Sequence, residues 1–231
     1  MPIYLAPIMT FTNRIWDVLN RNRFFFIPYL IFLIVGSILL LAAGKETIFL
    51  FVNKYHADWA DFFFFYFTNL GDGLFCTIVV ILLLFIRYKF AIIAALSFVV
   101  TSLMAQGLKH FVFADALRPF KYFEGSSQHI HYLNDLQLNG LHSFPSGHAT
   151  TAFSTFCLLS LIAVQKRIGL LFFLLALLAA YSRVYLAQHF FGDIFFGSLL
   201  GTLPTVLIYI LMMHYFQSLN SEWPQKSLMK R

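Results

Sequence analysis

Apolar and polar positions along this chain fall into long blocks rather than into the period of a surface helix or strand. A membrane helix needs about 20 mostly apolar residues, and Phe24 to Ala43 is the first such block. Arg14, Arg21 and Arg23 precede it. The Ala42-Ala43-Gly44 step is small enough for a processing peptidase. The lead segment is long, however, and the apolar run exceeds an ordinary signal core, so the block reads as an uncleaved anchor. Residues 57–70 hold Phe62 to Phe65 together with Asp58 and Asp61, a run too short to span alone. They predict an interfacial helix that ends at the Gly71-Asp72-Gly73 turn. A second span follows over 74–86, closed by Arg87, Tyr88 and Lys89, and a third over 90–109. Residues 110–144 form the one long polar stretch, and a loop of that length is usually functional or disordered. The fourth span covers 147–164, ended by Gln165-Lys166-Arg167, the fifth 168–184 and the sixth 190–213. The pattern predicts an all-α fold, an integral membrane bundle of six transmembrane helices with an interfacial helix and a long outer loop. No internal repeat or low-complexity linker divides it, so residues 1–231 read as a single domain.

Composition agrees with the blocks. Hydrophobic residues make up 60% of the chain and charged residues only 11%, against about 25% in soluble domains. So little polar surface cannot cover the molecule in water, and lipid must solvate most of it. The net charge of +6 does not point to nucleic acid, because the basic residues form no stripe with interleaved aromatics. They cluster between apolar runs, as topology signals do. With six alternating spans, one side holds Arg14, Arg21, Arg23, Arg87, Lys89, Lys166, Arg167, Lys226, Lys230 and Arg231, opposed only by Asp17 and Glu222. The other side holds Lys45, Lys54, Lys109, Arg118, Lys121 and Arg183 with the remaining eight acids. Lys and Arg favour the cytoplasmic side, so both termini are expected inside and the 110–144 loop outside. Cys76 and Cys157 sit within apolar runs and read as small packing hydrophobes. Trp16 and Trp59, near span ends, read as interface anchors. The 30 Phe residues read as packing and lipid-facing surface.

Polar residues near membrane depth are costly and therefore suspect of function. Three clusters stand out, all on the expected outer face. Lys109 ends the third span and Arg118-Pro119 follows in the loop; alone, they read as a snorkelling lysine and a solvated arginine. Pro145-Ser146-Gly147-His148 stands directly before the fourth span. Ser146 is a good N-cap, Gly147 admits a ligand close to the backbone, and the free N–H groups of a helix start form an anion site. An ordinary cap beside a chance histidine would look the same. The third cluster is Ser182-Arg183, His189 and Asp193. His189 and Asp193 are one helical turn apart, so the carboxylate can accept one imidazole N–H and make the other nitrogen more basic. Taken together, three cations (Lys109, Arg118, Arg183) and helix-start N–H groups would hold phosphate oxygens, with two histidines as nucleophile and acid. Phosphoryl transfer asks for such positioning and charge stabilisation. No metal-ligand cluster is evident. A His-x-His pair, His129 and His131, and the single His142 lie in the outer loop, where solvated histidines are the default.

Lys109…Arg118-Pro119, Pro145-Ser146-Gly147-His148 and Ser182-Arg183-x5-His189-x3-Asp193 resemble the motifs of the type 2 phosphatidic acid phosphatase (PAP2) superfamily, which also contains the vanadium haloperoxidases and glucose-6-phosphatase. The second and third motifs match in full. The first departs, with eight residues between Lys109 and Arg118, more than the family usually has. The motif core covers about 109–193. The resemblance implies that His189 attacks phosphorus and becomes phosphohistidine, that Asp193 orients it, and that His148 protonates the leaving oxygen. It implies phosphate binding by Lys109, Arg118, Ser146, Gly147 and Arg183, with no metal and no cofactor. The expected partners are a lipid phosphate substrate and the membrane, with no nucleic acid and no obligate protein partner evident. The expected location is a bacterial inner membrane, with the active site on the periplasmic face. Candidate substrates are undecaprenyl diphosphate, phosphatidylglycerol phosphate, phosphatidic acid and lipid A phosphates. Two alternatives are weaker. A non-enzymatic lipid-binding or lipid-moving relative would be expected to lose the histidines, which are present here. A vanadate-dependent oxidase shares the anion pocket, but the enzymes of that kind are soluble.

Overall fold

The structure is a computed structural model and describes residues 11–133, 136–137, 139–219 and 221–229. Among these it is helical, without a strand. The helices are α1 (Phe11–Arg21), α2 (Arg23–Lys54), α3 (Asp58–Phe67), α4 (Gly73–Leu84), α5 (Tyr88–Gly107), α6 (Pro119–Tyr122), α7 (Gly147–Ile162), α8 (Gly169–Tyr185) and α9 (Phe191–Ser218). Four stretches are long and apolar enough to cross a bilayer: Arg23–Lys54, Tyr88–Val112, Lys166–Tyr185 and Phe191–Ser218. A fifth arises if the pair Asp58–Gly71 and Gly73–Leu84, bent by 54°, counts as one broken span.

These elements sharpen the expectation in three places. The first block does not stop at Ala43. Helix continues to Lys54 across a kink at Gly44, whose φ of 70° is a left-handed conformation that favours glycine. The expected interfacial helix and second span are two arms of the bent pair, joined through a 3-10 turn at Thr68–Gly71 with Asp72 capping α4 by accepting the Leu74 N–H at 3.1 Å. The expected fourth span, α7, has only 16 residues. At 1.5 Å per residue that is roughly 24 Å, short of a bilayer core of about 30 Å.

α7 is the hub. Nearly every side chain from Ala149 to Leu161 is buried, and α7 packs most extensively on α9 and α8. Small residues make the α7–α9 approach close. A Cβ at Gly197 would lie 2.7 Å from the Ser146 carbonyl oxygen, and one at Gly201 would lie 2.3 Å from that of Thr150. Gly197 and Gly201 form the G-x-x-x-G spacing that lets membrane helices approach backbone to backbone. Ser154 and Thr205 share a hydrogen bond of 2.8 Å across the same seam, so this pair of buried hydroxyls is satisfied internally, as an apolar surround requires. An aromatic layer of Phe25, Tyr29, Phe153 and Phe173 fills the space between α2, α7 and α8. Cys76 and Cys157 are buried free thiols, and Trp16 and Trp59 are exposed. The basic residues Lys230 and Arg231 lie outside the described residues.

Candidate active site

The ends of α5, α7 and α8, the start of α9 and the Gly71-Asp72-Gly73 turn surround a cavity of about 480 Å³. Its lining includes Lys109, Arg118, Gly147, His148, Arg183 and His189. Ser146 and Asp193 stand immediately behind it. All eight residues singled out from the sequence therefore converge on one place, although they come from chain positions as far apart as 109 and 193.

Each is positioned by a local cause. Lys109 sits in a π-helical turn, Leu108–Val112, that continues α5. Such a turn widens a helix and re-aims its side chains. It keeps Lys109, only 8% exposed, on the cavity wall despite the long gap to Arg118. Arg118 is extended backbone before Pro119. Its guanidinium is fixed by Nε donating to the Leu141 carbonyl at 3.0 Å and Nη1 donating to the Gln188 carbonyl and side-chain oxygens, both at 3.4 Å. Burial lowers its pKa, an effect that Asp193 opposes.

Ser146 caps α7, its hydroxyl oxygen accepting the Ala149 N–H at 3.4 Å. The N–H groups of Gly147 and His148, in the first turn, have no intrahelical acceptor. A Cβ at Gly147 would touch nothing, so this glycine leaves room at the cavity rather than relieving a clash. His148 is half-buried and backs onto the turn from α3 to α4, where a Cβ at Gly71 would stand 2.7 Å from its carbonyl oxygen.

Arg183 ends α8 and donates from Nη1 to Thr68 Oγ1 at 3.0 Å, while its buried Nε has no partner. The chain then turns, the Gln188 and His189 N–H groups both donating to the Arg183 carbonyl oxygen. His189 is presented to the cavity with its side chain only 2% exposed. Its Nδ1 lies 3.3 Å from Asp193 Oδ2. The same oxygen accepts from Ser143 Oγ at 2.5 Å and from the Phe190 N–H at 2.9 Å. Asp193 is thus both the N-terminal capping side chain of α9 and the partner of the histidine. With Nδ1–H toward this carboxylate, Nε2 carries the lone pair. Burial, and then the charges of Arg118, Arg183 and Lys109, hold the His189 pKa well below its ordinary value, so the ring is neutral at neutral pH.

Several contributors were not singled out from the sequence. Ser143 bonds Asp193 and lies 3.5 Å from His189 Nδ1. Thr68 and Gln188 hold the two arginines, and Asp72, Ser102, Gln106 and Thr151 complete the wall. Of these only Asp72, in a Gly-Asp-Gly turn, carried a local signal, and that signal was of a turn. The loop histidines are also more engaged than solvated ones. His131 Nε2 lies 2.9 Å from Asp61 Oδ2 and its ring stacks on His56 at 3.9 Å, while His142 Nδ1 lies 3.3 Å from the Lys109 carbonyl oxygen. Among the described residues no group of three or more His, Cys, Asp or Glu is placed to hold a metal ion.

Comparison with known proteins points the same way. The family model described as the PAP2 superfamily matches residues 89–217, which contain the whole cavity except the turn after α3. The chain is 28% identical over 190 residues to an undecaprenyl-diphosphatase of Sulfolobus acidocaldarius, across 79% of this chain and 88% of that protein. It superposes on Aquifex aeolicus LpxE with a TM-score of 0.58 and 27% identity, covering 70% of this chain and 92% of that one. It also superposes on a transmembrane PAP2-type phosphatidylglycerolphosphate phosphatase from Bacillus subtilis, TM-score 0.57, covering 83% and 95%; at 20% identity that likeness is one of fold.

Proposed function

Since the chain belongs to the PAP2 superfamily, we propose that it is a membrane lipid phosphatase that hydrolyses a phosphomonoester or diphosphate through a phosphohistidine on His189. The observation that carries this reading is the single cavity holding two histidines, three cations and a helix start, with His189 backed by Asp193 at 3.3 Å. A monoester or terminal phosphate carries up to two negative charges. Lys109, Arg118, Arg183 and the N–H groups of Gly147 and His148 supply the opposing charge and donors that phosphoryl transfer requires.

His189 Nε2 attacks phosphorus, a P–N bond forms, and the P–O bond to the lipid breaks. His148 gives its proton to the departing oxygen. Asp193, accepting from Nδ1–H, offsets the positive charge that develops on the His189 ring. Water then attacks phosphorus, gives its proton to His148, and the P–N bond breaks. Inorganic phosphate leaves with both rings restored.

Undecaprenyl diphosphate stands first among the candidates, because the relative aligned along most of both chains carries that activity in its name. Phosphatidylglycerol phosphate, phosphatidic acid and lipid A phosphates follow. The full reading has six spans, both termini in the cytoplasm of a bacterial cell and the cavity on the outer face of the inner membrane. Phosphate release by the purified protein over these four lipids tests it. Release from at least one lipid, lost in His189→Ala, is expected; no release from any would overturn the reading.

A further inference from the structure

The end of the bundle far from His189 carries a second polar cavity that phosphate hydrolysis does not use. α7 leaves the catalytic cavity at Gly147 and α9 leaves it at Phe191, so Leu161 and the stretch from Tyr209 to Gln217 lie at the opposite end. There α1, the end of α7 and the end of α9 enclose about 310 Å³. Arg14, Arg21, Lys166 and His214 line it against one carboxylate, Asp17.

The inventory of that cavity is unbalanced in two ways. Asp17 is already engaged, its Oδ1 accepting from Arg21 Nε at 3.1 Å. Arg14 pairs with no carboxylate among the described residues. Lys166 Nζ donates to the Leu161 and Ser160 carbonyl oxygens at 2.8 and 3.5 Å, closing the C-terminus of α7. An ammonium has three donors, so one is left for the cavity. Asn22, only 3% exposed, lines the same space. Its Nδ2 donates to the Val18 carbonyl at 2.8 Å, and its buried Oδ1 has no donor. Uncompensated cations ask for an anion, and an orphaned buried acceptor asks for a hydroxyl or amine beside it. The neighbouring face of α1 and α2 is apolar. Trp16, 72% exposed, and Leu19, Phe26, Ile27, Leu30 and Leu33 border a groove of about 390 Å³ suited to acyl chains.

We propose that this cavity binds the phosphate headgroup of a lipid that also carries a hydroxyl or amine, at the end of the molecule opposite the catalytic cavity. Arg14 and Lys166 meet the phosphate, and Asn22 Oδ1 accepts from the hydroxyl or amine. The inference stands apart from the hydrolytic reading and is tested without turnover.

Native mass spectrometry of the detergent-purified protein, titrated with phosphatidylglycerol, phosphatidylcholine or inorganic phosphate, is the experiment. Phosphatidylglycerol, which has both phosphate and hydroxyls, is expected to bind more tightly than phosphatidylcholine, which lacks the donor. Arg14→Gln is expected to weaken it about fivefold, the loss of one basic contact at a charged lipid. Arg14 is half-buried but, unlike Lys166, donates to no helix-end carbonyl among the described residues, so this variant keeps the fold where Lys166→Gln could uncap α7; Arg14→Gln/Lys166→Gln should weaken binding further. Arg118→Gln separates the two cavities, because it should leave the Arg14-dependent binding in place. Equal binding of the two lipids, no effect of Arg14→Gln, or loss only in Arg118→Gln overturns the proposal. Arg14-dependent binding of inorganic phosphate that displaces phosphatidylglycerol overturns the lipid assignment in favour of free phosphate.

Discussion

A histidine becomes a nucleophile through what surrounds it, and His189 and His148 differ in that respect. His189 has Asp193 behind it, with Ser143 and the Phe190 N–H fixing the carboxylate. His148 has no carboxylate one turn on, where Thr151 and Ala152 stand. His189→Ala is therefore expected to abolish both turnover and the acid-labile, alkali-stable phosphoenzyme. His148→Ala should slow transfer by roughly 10²–10⁴-fold, the range of general acid–base catalysis. That loss should shrink with an activated aryl phosphate, whose leaving group needs no proton. A phosphoenzyme that persists in His189→Ala and vanishes in His148→Ala would reverse the two roles. The pH dependence follows from the lowered His189 pKa. The neutral ring is the attacking form, and a depressed pKa keeps it neutral as the pH falls. The acid limb of kcat/KM should thus lie below the ordinary histidine value of about 6.5, and the ¹⁵N shifts of the His189 ring should show no protonation near that pH. A His189 ring that protonates at its ordinary value would contradict the buried, cation-flanked site. At this scale the sequence was most legible where chemistry is local. His189 and Asp193 are one turn apart and Ser146 precedes its own helix, so spacing alone reveals them. Thr68 on Arg183 and Gln188 on Arg118 were hidden because each contact joins residues distant along the chain, and ordinary polar residues carry no mark of a distant partner.

Elements were legible where apolar length decides them and less so where packing does. The blocks at 90–109, 168–184 and 190–213 correspond to α5, α8 and α9 within a few residues. The break between α3 and α4 was readable at the Gly71-Asp72-Gly73 turn, but its 54° angle and the kink at Gly44 were not, since glycine permits a break without dictating one. The π-helical turn at Lys109 was likewise invisible. It reconciles the long Lys109–Arg118 gap with a lysine that still lines the cavity. The α7–α9 seam yields a prediction at this scale. A Cβ at Gly201 would lie 2.3 Å from the Thr150 carbonyl oxygen and 2.9 Å from the Ser154 nitrogen, both backbone atoms that cannot rotate away. Gly201→Ala should force the helices apart and destabilise the protein by about 1–3 kcal/mol, the usual cost of overpacking. Gly107→Ala, where an added Cβ meets nothing, should be far milder. The two can be compared by thermal unfolding in one detergent. Equal midpoints would mean that the seam is looser than its backbone distances indicate. Because α7 carries His148 and α9 carries Asp193, Gly201→Ala should also lower kcat in the fraction that remains folded.

For the whole molecule, charge is the guide to how the bundle is set in the membrane. The two polar cavities lie at opposite ends of α7 and α9. The far end holds Arg14, Arg21 and Lys166, three of the basic residues that mark the cytoplasmic side in the sequence count. The catalytic end is also cationic, but its Lys109, Arg118 and Arg183 line the catalytic cavity, so they carry little weight as topology signals. Removing them from the count leaves the asymmetry stronger. The catalytic end should therefore face outward. Cys76 and Cys157 are buried, so single cysteines placed at exposed positions report without interference. Ser127, in the loop beside the catalytic end, and Ser221, after α9, are both exposed. In intact cells a membrane-impermeant maleimide should label Ser127→Cys and spare Ser221→Cys, and permeabilisation should expose the second. The reverse pattern would place the catalytic cavity in the cytoplasm, and labelling of both in intact cells would mean an even number of spans between them. The same cationic cavity predicts the response to metal removal. If Lys109, Arg118 and Arg183 carry the phosphate's charge, EDTA should leave phosphate release intact in the wild-type protein. Arg183→Gln, which removes one of those charges from the wall, should cost far more than chelation does. Complete loss of activity on chelation, restored by added Mg²⁺ or Zn²⁺, would show instead that an ion shares the work assigned here to the three side chains.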